Sequence, residues 1–212
     1  MPVDLGMLLP SLPLLAVLAL TAPAGRTVVF LGDSLTAGYG LARQEAFPSL
    51  LEARIRAAGL GWKVVNAGVS GDTSAGARAR LDFIYRQKPQ VIFLCIGSND
   101  GLRGLPVSGL EKNLRAILDR ARAEGTRVVL AGAMVPDNYG RAYQEAFRSL
   151  YVRLAKDYRV PLMPFLLEGV ALQSGLNQED GIHPNAEGAR KVAEGVWKIL
   201  EPSLRAARPS GK

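Results

Sequence analysis

TVVFLGDSLTAGYG, residues 27–40, begins with a short apolar run rich in β-branched residues, and glycine closes that run. Six residues are too few for a buried helix, and the run lacks the alternation of a half-exposed strand. It therefore reads as a strand covered on both faces. The same pattern recurs at KVVN (63–66), QVIFLCIG (90–97) and TRVVLAG (126–132), and the proline-flanked VPLMP (160–164) suits a sheet edge. Between these runs, apolar residues fall three and four apart. Phe47, Leu50, Leu51 and Ile55 predict a helix over 46–58, and a second is predicted over 75–87. Leu110, Leu114, Ile117 and Leu118 predict one over 109–124, Phe147, Leu150, Tyr151 and Leu154 one over 141–158, and Val192, Val196, Trp197 and Leu200 one over 186–200. Glycines 59, 61 and 125 and Pro89 mark helix ends.

Strands buried on both faces, each followed by an amphipathic helix, require a parallel sheet with helices on either side. The expected fold is a three-layer α/β/α sandwich around a mainly parallel five-stranded sheet. In such sheets the reactive groups collect beyond the carboxyl ends of the strands. GDS (32–34), NAGVSGDTS (66–74) and GSNDG (97–101) each follow a predicted strand, and EDGIHP (179–184) precedes the last helix.

The chain has 212 residues, 48% of them apolar and 21% charged, which is enough for one buried core and unlike a disordered composition. Residues 1–24 contain one charged residue, Asp4, and end in Ala22-Pro23-Ala24, a small-x-small pattern. They read as a cleaved export signal or a retained membrane anchor, although the Lys- and Arg-free start departs from the basic opening of export signals. Residues 25–205 are expected to form the domain and 206–212 a tail. The expected location is periplasmic or secreted, or tethered to a membrane by the apolar segment.

The net charge of +7 raises the question of nucleic acid. The basic residues are spread through amphipathic runs such as ARARLDFIYRQK (77–88) and EKNLRAILDRARAEGTR (111–127), with no tract or interleaved aromatics. They read as solvated helix faces, with some attraction to anionic surfaces, including lipid, and no nucleic-acid partner is expected. Cys95 is the single cysteine, so no intramolecular disulfide can form, and its apolar setting predicts a buried strand thiol.

His183 is the only histidine, which removes sites that need two imidazoles, including HExxH metalloproteases. Asp180 precedes it by three residues across a glycine, so one tight turn can bring the carboxylate to a ring nitrogen and leave the other free to act on a hydroxyl. Ser34 at a strand-to-helix junction can present its hydroxyl over the sheet edge, or act simply as an N-cap. Asp33 allows a phosphoryl-acceptor or metal-ligand reading, but neither GxxxxGK[ST] nor GxGxxG accompanies it. Gly71 can offer a bare N–H, and Asn99 an amide donor that does not titrate; each is also an ordinary turn residue.

Taken together, FLGDSLTAGYG, VVNAGVSGDTS, GSNDGLRG, YGRAYQEAFRSLY, VPLMPF and EDGIHPNAEG resemble the SGNH-type (GDSL) hydrolases, nearest the bacterial thioesterase I/arylesterase/lysophospholipase branch. The resemblance runs from about residue 27 to 190. It implies a sheet ordered 2-1-3-4-5, Ser34 as nucleophile, Asp180 orienting His183, and an oxyanion hole of the Ser34 and Gly71 N–H groups with the Asn99 amide. Ser98 stands where relatives carry glycine. The α/β-hydrolase elbow GxSxG is absent.

The expected activity is hydrolysis of acyl esters and thioesters, with lysophospholipid as one candidate substrate and no metal or organic cofactor. Leu102, Leu105 and Val107 after the Asn99 loop, with Pro136 and Tyr139 beyond the fourth strand, are candidate linings of an acyl channel or ordinary loop packing. Two alternatives stay open: an O-acetyl esterase acting on a glycan or cell-wall component, and a catalytically silent lipid- or surface-binding module. A monomer is the default.

Overall fold

In the computed structural model, which describes residues 25–135 and 137–207, the opening apolar run is strand β1, Arg26–Gly32, buried at every position after Arg26. The other strands are β2 (Trp62–Gly68), β3 (Val91–Cys95), β4 (Arg127–Ala131) and β5 (Leu162–Met163). They lie in the order β2-β1-β3-β4-β5, and every pairing is parallel. The helices are α1 (Ser34–Ala37), α2 (Phe47–Ala57), α3 (Ser74–Ala79), α4 (Leu81–Tyr85), α5 (Ser98–Leu102), α6 (Val107–Ala123), α7 (Arg141–Tyr158) and α8 (Ala186–Ala206).

The continuous apolar runs are explained by two cores, one on each face of the sheet. Val28, Phe30, Val91, Phe93 and Cys95 pack with α2 and α8, whereas Val29, Leu31, Ile92 and Leu94 pack with α3, α4, α6 and α7. Alternate residues of β1 and β3 thus enter opposite cores with none left for water, whereas β2 at the sheet edge exposes Lys63 and Asn66. Phe30, Phe93 and Phe47 meet ring to ring with centroids 5.6, 5.8 and 6.2 Å apart, which anchors α2 against the two central strands. Burial of each such side chain contributes about 1.5–3 kcal/mol. Cys95 is a buried free thiol, as its strand setting predicts.

Several boundaries differ from the sequence expectation. The helix expected over 75–87 is two short helices that break at Arg80, and GSNDG, where a turn is one reading of Asn99, is helical as α5. The last helix passes Leu200 and carries Pro202 inside it as far as Ala206, and Ala207 is buried against the core, so the ordered domain reaches beyond residue 205. Residues 1–24 and 208–212, which include the expected leader and most of the expected tail, lie outside the described residues. Among the described residues, no helix is long and apolar enough to cross a membrane.

One glycine decides how the chain leaves β1. A Cβ on Gly32 would lie 2.1 Å from Thr36 Oγ1 and 2.5 Å from the Cys95 carbonyl, so only glycine lets α1 fold back over the end of β3. Ser34 thereby sits at the carboxyl end of β1, between β2 and β3, where the strand order reverses.

Candidate active site

Ser34 is the first residue of α1, and Asp33 caps that helix by accepting a hydrogen bond from the Leu35 N–H at 3.0 Å. Asp33 is wholly buried, which rules out the phosphoryl-acceptor reading for lack of access. Burial pushes its carboxyl up to about 6, against the pull of the Leu35 N–H. The Ser98 hydroxyl also favours the charged form without reaching hydrogen-bond geometry, so Oδ2 is left without a partner.

Asp180 and His183 occupy one tight turn. Asp180 Oδ1 accepts from the backbone N–H groups of Ile182 and His183, each at 2.9 Å, and Oδ2 accepts from His183 Nδ1 at 2.6 Å. The His183 N–H, the imidazole and the Ile182 N–H together hold the Asp180 carboxyl down at about 2. An ionised carboxylate on Nδ1 requires the proton on that nitrogen, which leaves Nε2 as an acceptor. Nε2 lies 2.8 Å from Ser34 Oγ. The three side chains form a linear relay in which a hydroxyl can lose its proton to an oriented base.

The loop after β2 carries Gly71 and is fastened from several sides. The Val69 N–H donates to the Gly32 carbonyl at 3.1 Å, and Asn99 Nδ2 donates to the Asp72 carbonyl at 2.9 Å. Buried Asp100, next to Asn99, accepts from the Ser74 N–H at 2.8 Å and from Ser74 Oγ at 2.6 Å. Arg103 donates to the Gly71 carbonyl at 2.9 Å. Each Asn amide has two hydrogens, so Asn99 retains one for a ligand. The Ser34 and Gly71 N–H groups donate to no acceptor among the described residues.

Arg80 is the residue that sequence reasoning missed. Expected on a solvated face, it instead reaches the Asp72 carboxylate at 2.8 Å, the Ala67 carbonyl at 2.8 Å and the Gly32 carbonyl at 3.0 Å. It ties the ends of β1 and β2 to the loop that bears Gly71. The break between α3 and α4 at this residue is the trace it leaves in the fold.

Ser34 and His183 open onto a small apolar pocket walled by Tyr39, Leu41, Phe47, Leu166 and Pro184, with a free volume of about 10 Å³, the room for one water. Among the described residues, none of the expected channel residues borders it. Leu102, Leu105 and Tyr139, all partly exposed, gather instead at the end of α5, where Tyr139 Oη donates to the Leu102 carbonyl at 3.0 Å. Val107 begins α6 and packs on its core, and Pro136 lies outside the described residues.

Comparison with known proteins places the chain among lipases and acylhydrolases. The family model described as GDSL-like lipase/acylhydrolase matches residues 30–191. The chain is 42% identical over 192 residues to esterase TesA of Pseudomonas aeruginosa, covering 90% of this chain and 96% of that protein. It is 41% identical over 194 residues to thioesterase 1/protease 1/lysophospholipase L1 of Escherichia coli, covering 90% and 92% respectively. Among solved structures, that of the psychrotrophic esterase EstA from a Pseudoalteromonas species, inhibited by monoethylphosphonate, is similar with a TM-score of 0.81 and 33% identity, covering 85% of this chain and 99% of that one.

Proposed function

The chain belongs to the GDSL-like lipase/acylhydrolase family, and on that footing we propose that its chemistry runs through Ser34, His183 and Asp180. It is a serine hydrolase of carboxylic esters and thioesters. The observation that carries the residue assignment is the relay itself, with Ser34 Oγ 2.8 Å from an imidazole whose other nitrogen is held by Asp180.

Ser34 Oγ attacks the acyl carbon while His183 Nε2 takes its proton, and charge develops on the former carbonyl oxygen. The free N–H groups of Ser34 and Gly71 and the spare Asn99 hydrogen stabilise that charge. Collapse expels the alcohol or thiol, which takes the proton back from His183. Water activated by the same nitrogen then releases the acid and restores Ser34.

The acyl chain extends toward Leu102, Leu105 and Tyr139, because Leu102 ends the helix that bears Asn99, Leu105 follows it, and Tyr139 is bonded to the Leu102 carbonyl. Lysophospholipids are one substrate class consistent with such an exposed apolar border. Residues 1–24 act as an export signal or tether, and the domain works as a monomer outside the cytoplasm. A second reading, an O-acetyl esterase acting on a polar acetylated substrate, is favoured by the roughly one-water pocket beside Ser34.

The deciding experiment is kcat/KM on matched esters and thioesters from acetyl to palmitoyl, with Ser34→Ala as control. A rise toward longer chains that is lost in the control supports the acyl-channel reading. Ser34-dependent turnover confined to acetyl esters supports the second. Turnover that survives Ser34→Ala contradicts the residue assignment.

A further inference from the structure

Ser34 and His183 stand on segments 149 residues apart, and regular structure does not join them directly. Ser34 leads into the turn at Tyr39 and Gly40, whereas His183 sits in the irregular stretch between β5 and α8. Their mutual distance needs another fastening, since a hydroxyl–imidazole hydrogen bond that is broken in each catalytic cycle cannot hold two loops together.

Gln178 supplies that fastening. Its Nε2 donates to the Tyr39 carbonyl at 2.7 Å and to the Pro184 carbonyl at 2.9 Å. One amide thus spends both hydrogens on the two segments, five residues beyond the serine and one residue beyond the histidine. The Gln178 N–H donates to the His183 carbonyl at 2.7 Å, and its carbonyl accepts from the Gly181 N–H at 3.0 Å, which closes the turn that holds Asp180. Among the described residues, Gln178 Nε2 to Tyr39 is the only hydrogen bond between 33–46 and 175–185 other than that of Ser34 to His183.

Two further contacts fit a clamp. A Cβ on Gly40 would lie 2.0 Å from Gln178 Oε1, so the turn after Ser34 leaves room for this side chain. The Tyr39 ring also rests against the His183 ring with centroids 4.7 Å apart, so the backbone that Gln178 grips carries one wall of the imidazole.

We infer that Gln178 is a positioning residue that holds the Ser34 turn and the His183 turn in register. This rests on the hydrolase reading above for its catalytic consequence, and on the hydrogen bonds alone for its structural one. It touches no reacting atom, so its loss acts through the serine–imidazole geometry, where a displacement of about 1 Å can cost on the order of a hundredfold in rate.

The test uses the full chain with Gln178→Met, which keeps length without donors, and Gln178→Glu, which sets an acceptor against two carbonyls. Three readouts are taken: kcat and KM on an acetyl ester, the rate of Ser34 labelling by a fluorophosphonate, and the imidazole magnetic resonance signals. Those signals have one source, because His183 is the sole histidine.

Both variants are expected to lose about ten- to hundredfold in kcat and labelling rate, with KM within about twofold and a melting temperature close to wild type. The His183 ring signals should shift or broaden. Rates within threefold of wild type together with superimposable ring signals overturn the inference, and so does a loss confined to thermal stability. If the wild type neither turns over esters nor takes the label, the hydrolase reading fails instead. The ring signals, which need no substrate, then still decide whether Gln178 sets the His183 position.

Discussion

The Asn99 side chain and the Asp72 carbonyl are joined by a 2.9 Å hydrogen bond that takes one of the two amide hydrogens and aims the other. The donor proposed to face the oxyanion is therefore oriented before substrate arrives. Removing one preorganised donor of this kind costs about 2.7–4 kcal/mol of transition-state stabilisation. Asn99→Ala is expected to lower kcat by about 10²–10³-fold with little change in melting temperature, since Arg80, Asp100 and Arg103 still hold the Gly71 loop. A steady-state loss below tenfold would remove Asn99 from the oxyanion role.

Asp180 carries a carboxyl held at about 2, so it is ionised throughout the range in which the enzyme can be assayed. Its lowered value means that the orienting charge is present above the ordinary carboxylate range and lost only as pH falls through about 2. Any acid limb of the kcat/KM profile centred above about pH 4 belongs to another group. Asp180→Asn, which keeps the shape and removes the charge, should reduce kcat/KM by about 10³–10⁴-fold. A pH–rate series on both proteins checks the two points together, and an acid limb near pH 4 that vanishes in the variant contradicts the first.

Arg80 and Asp72 form a pair whose side chains are 20% and 10% exposed, and Arg80 also serves two strand-end carbonyls. Arg80→Ala strands a largely buried carboxylate and is expected to cost about 2–4 kcal/mol, somewhat less than a fully buried pair. Asp72→Asn relieves part of that cost, so the double variant should be more stable than the sum of the singles predicts. Denaturant melts of the four proteins measure the coupling. Additivity within about 0.5 kcal/mol would show that the two side chains do not depend on each other.

Asp33 is buried with its carboxyl raised to about 6, and the sign of its effect is opposite to that of Asp180. Between about pH 4 and 6 the unfolded chain has released this proton while the folded chain keeps it, so stability falls as pH rises through that window. The full shift corresponds to about 3 kcal/mol as an upper figure. Asp33→Asn keeps the helix cap and removes the charge, so it should melt higher than wild type at pH 7, with the difference shrinking toward pH 4. Equal melting curves at both pH values would show that the ionised carboxylate carries no cost in the fold.

The layer order was legible because the central strands are buried on both faces, which makes TVVFLG and VIFLC unbroken apolar runs. The helix at Arg141–Tyr158 was read to the residue because one face is strictly apolar and its neighbour is a glycine. Asp180 and His183 were legible as a pair because their geometry is local. Arg80 was not, because the acceptors that give it meaning, Gly32, Ala67 and Asp72, lie at strand ends and in a loop that periodicity does not register. Gln178 was hidden for the same reason, as its partner at Tyr39 is 139 residues away. The short helix α5 was masked by the turn-like composition of Ser98 to Leu102, and α8 outran its expected end because packing of Leu204 and Ala207 outweighs the proline at 202.

Asp180 and His183 share a turn of four residues, and that spacing has a consequence for how such a chain can change over generations. Insertions or deletions in the loops between β4 and residue 175 alter the rim of the cleft, and the carboxylate and imidazole still travel together as one cassette. A length change between Asp180 and His183 has no such freedom, because both backbone N–H groups that seat the carboxylate lie inside that interval. Variation in the borders of the cleft is therefore uncoupled from the proton relay, and new specificities can be sampled on one side of the molecule while the chemistry is inherited intact on the other.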